Sequence, residues 1–550
     1  MAKIKSKSLK WLAKNSAGAA PAIAVLTVIG VAVSYISVRF AMVSMKLIDA
    51  ATGKSDVGFK QSIAAIILLI AVQLALQAAY TVLDIRVRAL YKNSLQRKLF
   101  DAVLTRDAAS IGKMHSGEIM NRLTSDINVI NSNMLDVIPS TVTLVFTVIF
   151  SFAAMFRLDS SLSLICLALG PFVMLSATVY GRRMKGLYKK CQLSDGKTRS
   201  FMQECIQSII AIKAFCGERK ASALAKNLQD INYRLNMKRA LINVAVNIMY
   251  YIAMTAAYYF AVAWCAYKIK IGIMTVGQLT AIVQLVGSVQ SPFRDIAGII
   301  PKFYATAASA ERIMEIEQLD GDFSAAEDIP KGDFVSVTAE DVSFSYDDEA
   351  VLSGASLEVK KGEIAVLYGM SGKGKSTFFK LLLGILKPSD GRIAINFSDG
   401  SAPACAQLRK MFSYVPQGNM IISGTIRENI AFLDAGGDGE RVVCAAKNAC
   451  IWDYISELPD GLDTVLGEGG MGLSEGQVQR IAIARAFYHG APIILLDEAT
   501  SALDEATELE ILKNIKAMKD KTCFIITHRP GAFEICDRKI LLENKKFVCK

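Results

Sequence analysis

Residues 363–386 read EIAVLYGMSGKGKSTFFKLLLGIL. The apolar run from Glu363 to Tyr368 predicts a buried strand, and FFKLLLGIL predicts a helix. Between them, glycines at 369, 372 and 374 let the backbone curl until its N–H groups point inward, and the helix N-terminus adds the positive end of its dipole. The strand–loop–helix order is the context that a P-loop requires. The candidate phosphate-binding residues are therefore Gly369, Ser371, Gly372, Lys373, Gly374, Lys375, Ser376 and Thr377. Lys375 is placed to reach the β- and γ-phosphates of a nucleotide and Ser376 to ligate Mg²⁺, while Lys373 is the solvated side chain of the loop.

Around this loop, from Phe334 onward, short β-rich runs (VSVTAEDVSFSY, EIAVLY, IILLD, CFIIT) alternate with helical stretches, the pattern of an α/β domain with a largely parallel sheet. The strand IILLD ends in Asp497, followed by Glu498. A buried strand ending in two acids delivers them to the carboxyl edge of the sheet, where the P-loop also lies. Asp497 then suits a Mg²⁺ partner acting through water, and Glu498 the group that orients and deprotonates the attacking water.

The first half of the chain has a different character. Mean hydropathy over all 550 residues is +0.34 and 52% are hydrophobic, which argues for burial in lipid. Uncharged windows run from Asn15 to Val38, with the span extended to 43, and then over 61–83, 137–156, 160–180, 240–267 and 271–293. Each window reaches at least 20 residues, about 30 Å of helix. With the amino terminus inside, the inner segments 1–14, 84–136 and 181–239 hold 5, 8 and 14 Lys plus Arg, against six in the outer loops. That asymmetry sets the orientation and places the second half in the cytoplasm. The net charge of +11 sits in this apolar half: residues 1–330 carry 37 bases and 21 acids, residues 331–550 carry 25 and 30. Because the bases flank apolar runs, they do not form a nucleic-acid face. Eleven Cys without a C-x-x-C pair, and only three His, argue against a disulfide framework or a His-rich metal site.

The two longer inner segments exceed 50 residues each and carry helical apolar spacing, as at Leu95, Leu99, Ala102 and Val103. They predict helices that continue from spans 2 to 5 into the cytoplasm as two long hairpins. The domain reading is a transmembrane domain over 1–310, an acidic linker over 311–332 and a nucleotide-binding domain over 333–550.

Between the P-loop and Asp497 lies Leu473-Ser474-Glu475-Gly476-Gln477, followed by VQRIAIAR. With the P-loop and Asp497-Glu498, this segment resembles the signature of ATP-binding cassette proteins, and with six spans ahead of it the chain resembles a half-transporter of the exporter class. The resemblance implies a membrane α-helical bundle followed by an α/β P-loop ATPase domain. It also implies further site residues: Tyr346 stacking on adenine, Gln417 sensing Mg²⁺, Ser474, Gly476 and Gln477 in the signature, Asp504 closing a D-loop from Ser501, and His528 contacting the γ-phosphate. Glu468 matches a cross-talk loop, and 116–126 and 204–220 match stretches at or near the coupling helices. The signature departs from the family pattern at Glu475, where glycine is usual, and the loop departs at Met370.

From the resemblance follow two chains meeting head to tail, a homodimer or a heterodimer with a second half-transporter, and ATP-driven export by alternating access of an amphipathic small molecule, lipid or peptide. The alternative is an ATP-gated channel or sensor using the same cassette. Polar stripes at Gln73, Gln77 and Tyr80, at Asn243, Asn247 and Tyr250, and at Gln278 and Gln284 either line a substrate cavity or tie helices together. The expected location is a bacterial inner membrane, in contact with lipid, with the amino terminus and the ATPase in the cytoplasm.

Overall fold

The computed structural model describes residues 2–54, 58–114, 116–322, 329–346, 349–370, 372–418, 421–432, 434, 438–467 and 472–549, and the side chains of all these except 2–6, 166–183, 185, 188–189, 291–298, 300–301 and 549. Ser371 and Glu468 of the expected site lie outside the described residues. The chain divides into two compact units, one of residues 1–101 and 116–317, the other of residues 102–115 and 318–550.

The first unit is helical. It contains α1 (Ala2–Asn15), α2 (Ala20–Ala51) and α3 (Phe59–Thr105), whose last turn already belongs to the second unit along with α4 (Ala108–Gly112). After α5 (Ser116–Asn121) a π-helical turn, Arg122–Asp126, leads into α6 (Ile127–Leu158). Then come α7 (Ser160–Gln207), α8 (Ile209–Ala214), α9 (Glu218–Lys270) and α10 (Val276–Glu317). Among the described residues, four stretches are long and apolar enough to cross a membrane: Ala17–Ala51, Phe59–Thr105, Ser116–Leu158 and Glu218–Lys270. The windows 160–180 and 271–293 fall on α7 and on the turn 271–275 followed by the first part of α10. Helices α3, α7 and α9, of 47, 48 and 53 residues, are about 70–80 Å long, more than twice a hydrocarbon core of about 30 Å.

Local chemistry fixes the helix ends. Asp159 caps α7 by accepting from Leu162 N and is held by Trp264 Nε1 at 3.0 Å and Lys268 Nζ at 2.6 Å, so a nearly buried carboxylate is fully partnered. Gln278 and Thr275 cap α10 reciprocally, Thr275 N donating to Gln278 Oε1 and Gln278 N to Thr275 Oγ1. This member of the polar stripes thus serves a helix start. Toward the other end of the bundle, Arg122, 4% exposed, donates to Arg312 O and pairs with Glu118 and Glu315, while Asp126 accepts from Arg312 and Ser309.

The described residues of the second unit form three sheets. A four-stranded antiparallel sheet has the order β2-β1-β4-β5, with β1 Phe334–Tyr346, β2 Glu349–Lys360, β4 Asp390–Phe397 and β5 Gly400–Pro403. Strands β3 (Ile364–Tyr368), β6 (Phe412–Val415), β9 (Ile493–Asp497), β10 (Thr522–Ile526), β11 (Arg538–Glu543) and β12 (Lys546–Cys549) form a six-stranded sheet of order β12-β11-β3-β10-β9-β6, parallel except at β12. The short pair β7 (Gly424–Thr425) and β8 (Val465–Leu466) completes the set. Strands β9 and β10 are buried at every position because both faces of the sheet are covered. Ile494, Leu496, Cys523 and Ile525 enter one core, with helices α12 (Ile426–Ile430), α13 (Gly439–Asn448), α14 (Trp452–Glu457) and α15 (Glu475–His489), while Ile493, Leu495, Phe524 and Ile526 alternate into the other, with α11 (Lys375–Leu382). The two-residue period of the strand writes two cores from one run of apolar residues.

Candidate active site

The parallel strands end together, and this edge gathers the charged residues. Strand β3 delivers the P-loop into α11. Gly369 has φ +145, and a Cβ there would lie 2.6 Å from Leu542 O, so only glycine suits this first turn of the loop. Lys375, 5% exposed, is held inside the loop by donating to Gly369 O at 2.9 Å and Met370 O at 3.2 Å, and its Nζ lies 3.4 Å from His528 Nε2. Burial pushes the Lys375 ammonium below the ordinary lysine range, against the attraction of Glu498 and Asp497.

Strand β9 delivers the two acids. Ser376 Oγ donates to Asp497 Oδ1 at 3.0 Å, and Tyr414 OH donates to Asp497 Oδ2 at 3.4 Å. Asp497 is 1% exposed, and burial raises its carboxyl above the usual range. The chain turns sharply at Glu498, which adopts φ +50 and donates its N–H to Ile526 O at 3.0 Å. A non-glycine residue in the left-handed region stores roughly 1 kcal/mol of strain or more, and such strain concentrates at functional sites. The turn aims the Glu498 carboxylate at Gln417, whose Nε2 donates to Oε2 at 2.7 Å. The structure therefore brings together Lys375, Ser376, Asp497, Glu498, Gln417 and His528. Tyr346 stands apart at the end of β1, 44% exposed, with its ring against Phe344.

The segment that resembles the signature lines a cavity of its own. Ser474 caps α15 in a reciprocal box with Gln477, Ser474 N donating to Gln477 Oε1 at 2.8 Å and Gln477 N to Ser474 Oγ at 3.3 Å. A Cβ on Gly476 would lie 2.9 Å from Ala502 O, so the glycine lets the loop after β9 pack against α15. Ser474, Glu475, Gly476, Arg480, Ala502, Leu503 and Asp504 line a cavity of about 400 Å³. Asp504 caps α16 (Glu505–Ala517) by accepting from Thr507 N at 2.9 Å. Glu475 is exposed at this cavity, and Met370, 71% exposed, makes its substitution at the surface.

Two residues emerge that sequence reasoning missed. Tyr414 adds a second donor to Asp497. Arg529 donates to Ser501 O and Leu503 O and pairs with Glu508, tying the segment after His528 to the loop that lines the signature cavity. Tyr414 sits three residues before Gln417 and Arg529 directly after His528, so proximity to a motif was the available signal.

Both units of the chain have counterparts among known proteins. The family model of the ABC transporter transmembrane region matches residues 23–293, and that of the ABC transporter matches 352–501. An ATP-dependent lipid A-core flippase of Chromobacterium violaceum is 31% identical over 82% of this chain and 78% of its own length. A flippase of the same description from Desulfotalea psychrophila is 29% identical over 91% and 88%. The putative multidrug export ATP-binding/permease protein YgaD of Bacillus subtilis is 29% identical over 82% and 79%. The structure of a bacterial Atm1-family ABC exporter with ATP bound has the same fold, with TM-score 0.79 and 24% identity over 98% of this chain and 94% of that one. This chain belongs to the ABC transporter family, as an integral membrane half-transporter of the exporter class whose membrane region is fused to a transport-coupled ATPase.

Proposed function

We propose that the chain exports an amphipathic substrate as a dimer, with ATP held between the P-loop site of one cassette and the signature site of the other. The observation that carries this reading is the separation of parts: the cation, the acids and the switch histidine converge at the sheet edge, while Ser474 and Gly476 line their own cavity. Each cassette thus holds two complementary halves. The membrane unit supports a second copy as well, since over 61–83 of α3 only Ser62 is buried, and the most apolar window of α9 has no buried residue. Lipid covers apolar surface, but helices with polar stripes such as Gln73 and Gln77 on α3 and Asn247 on α9 suit protein neighbours or an aqueous cavity.

In this reading Lys375 exchanges its bonds to the loop carbonyls for β- and γ-phosphate oxygens, which restores the ammonium that burial disfavours. Tyr346 stacks on adenine. The Ser376 hydroxyl and the Asp497 carboxylate are an oxygen donor set that fits Mg²⁺, which accepts few protein ligands and fills its sphere with water and phosphate. Bound there, Mg²⁺ would neutralise charge on the β- and γ-phosphates. Glu498 takes the proton of the attacking water, Gln417 fixes the orientation of its carboxylate, and His528 donates to the γ-phosphate. ATP favours the closed pair and hydrolysis releases it, which biases a two-state membrane domain between inward and outward access. The relatives named as flippases and as a multidrug exporter support a lipid-like or amphipathic cargo and a bacterial cell membrane.

The test is transport of a fluorescent lipid and of amphipathic dyes into inside-out proteoliposomes. Accumulation against a gradient that vanishes in Glu498→Gln supports a pump. ATP-dependent flux that only ever runs downhill would support the channel or sensor instead.

A further inference from the structure

Helix α1 carries three arcs of different chemistry. Ser8 and Leu12 are buried and Trp11 and Asn15 half-buried, so one side packs on the bundle. Lys7, Lys10 and Lys14 are all exposed, make no ion pair among the described residues, and fall within an arc about 60° wide. Leu9, 43% exposed, and Ala13 form a third, apolar arc. One short turn, Ala17–Ala19, separates α1 from α2, and Ala17–Ala51 is a membrane-crossing stretch. The basic arc therefore lies beside the start of the first span, on the face that the distribution of bases assigns to the cytoplasm.

A flexible basic tail at that place would need no further account, but α1 is fastened. Trp11 Nε1 donates to Glu317 Oε2 at 2.6 Å, and Lys98 Nζ pairs with Glu317 Oε1 at 3.1 Å and donates to Asn15 Oδ1 at 2.6 Å. The Ser16 and Tyr91 hydroxyls bond at 2.8 Å. These bonds lock the helix rotation, so the three lysines are presented together on one side. Glu317 is the last residue of α10 and of the membrane unit. One carboxylate thus joins α1, α3 and the end of the helix from which the chain leaves toward the cassette.

We propose that α1 binds anionic phospholipid headgroups of the cytoplasmic leaflet through Lys7, Lys10 and Lys14, and that the Glu317 bridge relays this engagement to the end of α10. The charge is complementary to that leaflet, Leu9 and Ala13 give the helix an apolar side to rest on acyl chains, and the lysine stems reach past it to the phosphates. The proposal concerns regulation by lipid and stands independently of what the transporter exports.

The experiment uses the full chain. In mixed micelles with equal amounts of phosphatidylglycerol and phosphatidylcholine, lipid retained after washing is quantified by mass spectrometry. Wild type should prefer phosphatidylglycerol, and the K7Q/K10Q/K14Q variant should lose that preference by about fivefold for each lysine neutralised. In nanodiscs, adding phosphatidylglycerol to phosphatidylcholine should change wild-type ATP turnover. The Glu317→Gln variant, or Trp11→Phe should the first fail to fold, should keep the lipid preference while its turnover no longer responds. A triple-lysine variant that retains phosphatidylglycerol like wild type overturns the headgroup site. Inorganic phosphate reproducing the lipid's effect overturns the membrane-surface assignment, and a Glu317→Gln turnover that still responds overturns the relay.

Discussion

Glu475 offers the sharpest quantitative test of how the two half-sites meet. Its carboxylate lines a cavity of about 400 Å³ together with Ser474 and Gly476. A sphere of that volume is about 9 Å across, so an anionic phosphate in it lies within about 9 Å of the carboxylate; Coulomb's law gives a repulsion of about 0.5 kcal/mol per unit charge in bulk water and about 2 kcal/mol at an effective dielectric of about 20. Neutralising the residue by Glu475→Gln, which keeps the side-chain length, should lower the apparent KM for ATP between about twofold and thirtyfold. The counter-effect is small, because an acid in the first turn of α15 stabilises that helix by only about 0.3–1 kcal/mol. The assay is ATP hydrolysis in nanodiscs over a range of ATP and salt concentrations. Since the Debye length falls from about 10 Å at 0.1 M to about 3 Å at 1 M salt, the advantage of the variant should shrink as salt rises. A KM equal to that of wild type at low salt, or a change that ignores salt, would refute the placement of nucleotide phosphate against the signature.

Other outcomes follow from single contacts. The Arg529→Met variant leaves the Glu508 carboxylate, 2% exposed, with Thr500 as its remaining partner among the described residues and frees Ser501 O and Leu503 O, so turnover should fall at least tenfold with a smaller change in KM, as steady-state kinetics would show. Asp497→Asn should abolish turnover yet raise the unfolding temperature measured at neutral pH without nucleotide or Mg²⁺. The carboxyl lies above its unfolded-state pKa, so ionisation costs the fold stability at high pH; that cost, and with it the variant's advantage, should fade as pH drops through the raised value toward the ordinary one. Gly277→Ala would set a Cβ 2.4 Å from Met45 O and 2.5 Å from Asp49 Oδ1, which should destabilise the membrane unit by about 1–3 kcal/mol, read as a lower thermal midpoint in nanodiscs.

What could be read from the sequence is what local chemistry dictates. A loop that must wrap phosphate needs Gly369, Gly372 and Gly374 next to Lys375, and a strand buried on both faces must read as an uninterrupted apolar run ending at Asp497. Membrane windows are legible for the same reason, since lipid tolerates few charges over about 20 residues. Tertiary choices escaped. Nothing in the spacing of Tyr414 or Arg529 announces that one would face Asp497 and the other clamp Ser501 and Leu503. Gln278 looked like one member of a polar stripe, but with Thr275 it caps α10, a use that depends on where the helix starts. Residues 102–115 read as part of a cytoplasmic hairpin, and they pack with the second unit because Arg106 donates to Leu319 O and Asp107 N donates to Asp320 O. Trp11, read as part of a basic amino-terminal stretch, meets Glu317 across 306 positions of sequence, a pairing that no local pattern encodes.

The measurement that bears most directly on the account is the stoichiometry of trapped nucleotide. The Glu498→Gln chain in nanodiscs would be incubated with radiolabelled ATP and Mg²⁺, freed of unbound nucleotide by gel filtration, and weighed by mass photometry. Two ATP retained per two-chain particle is the result the account predicts. A one-chain particle that retains ATP as tightly, or a two-chain particle that retains none, would contradict it.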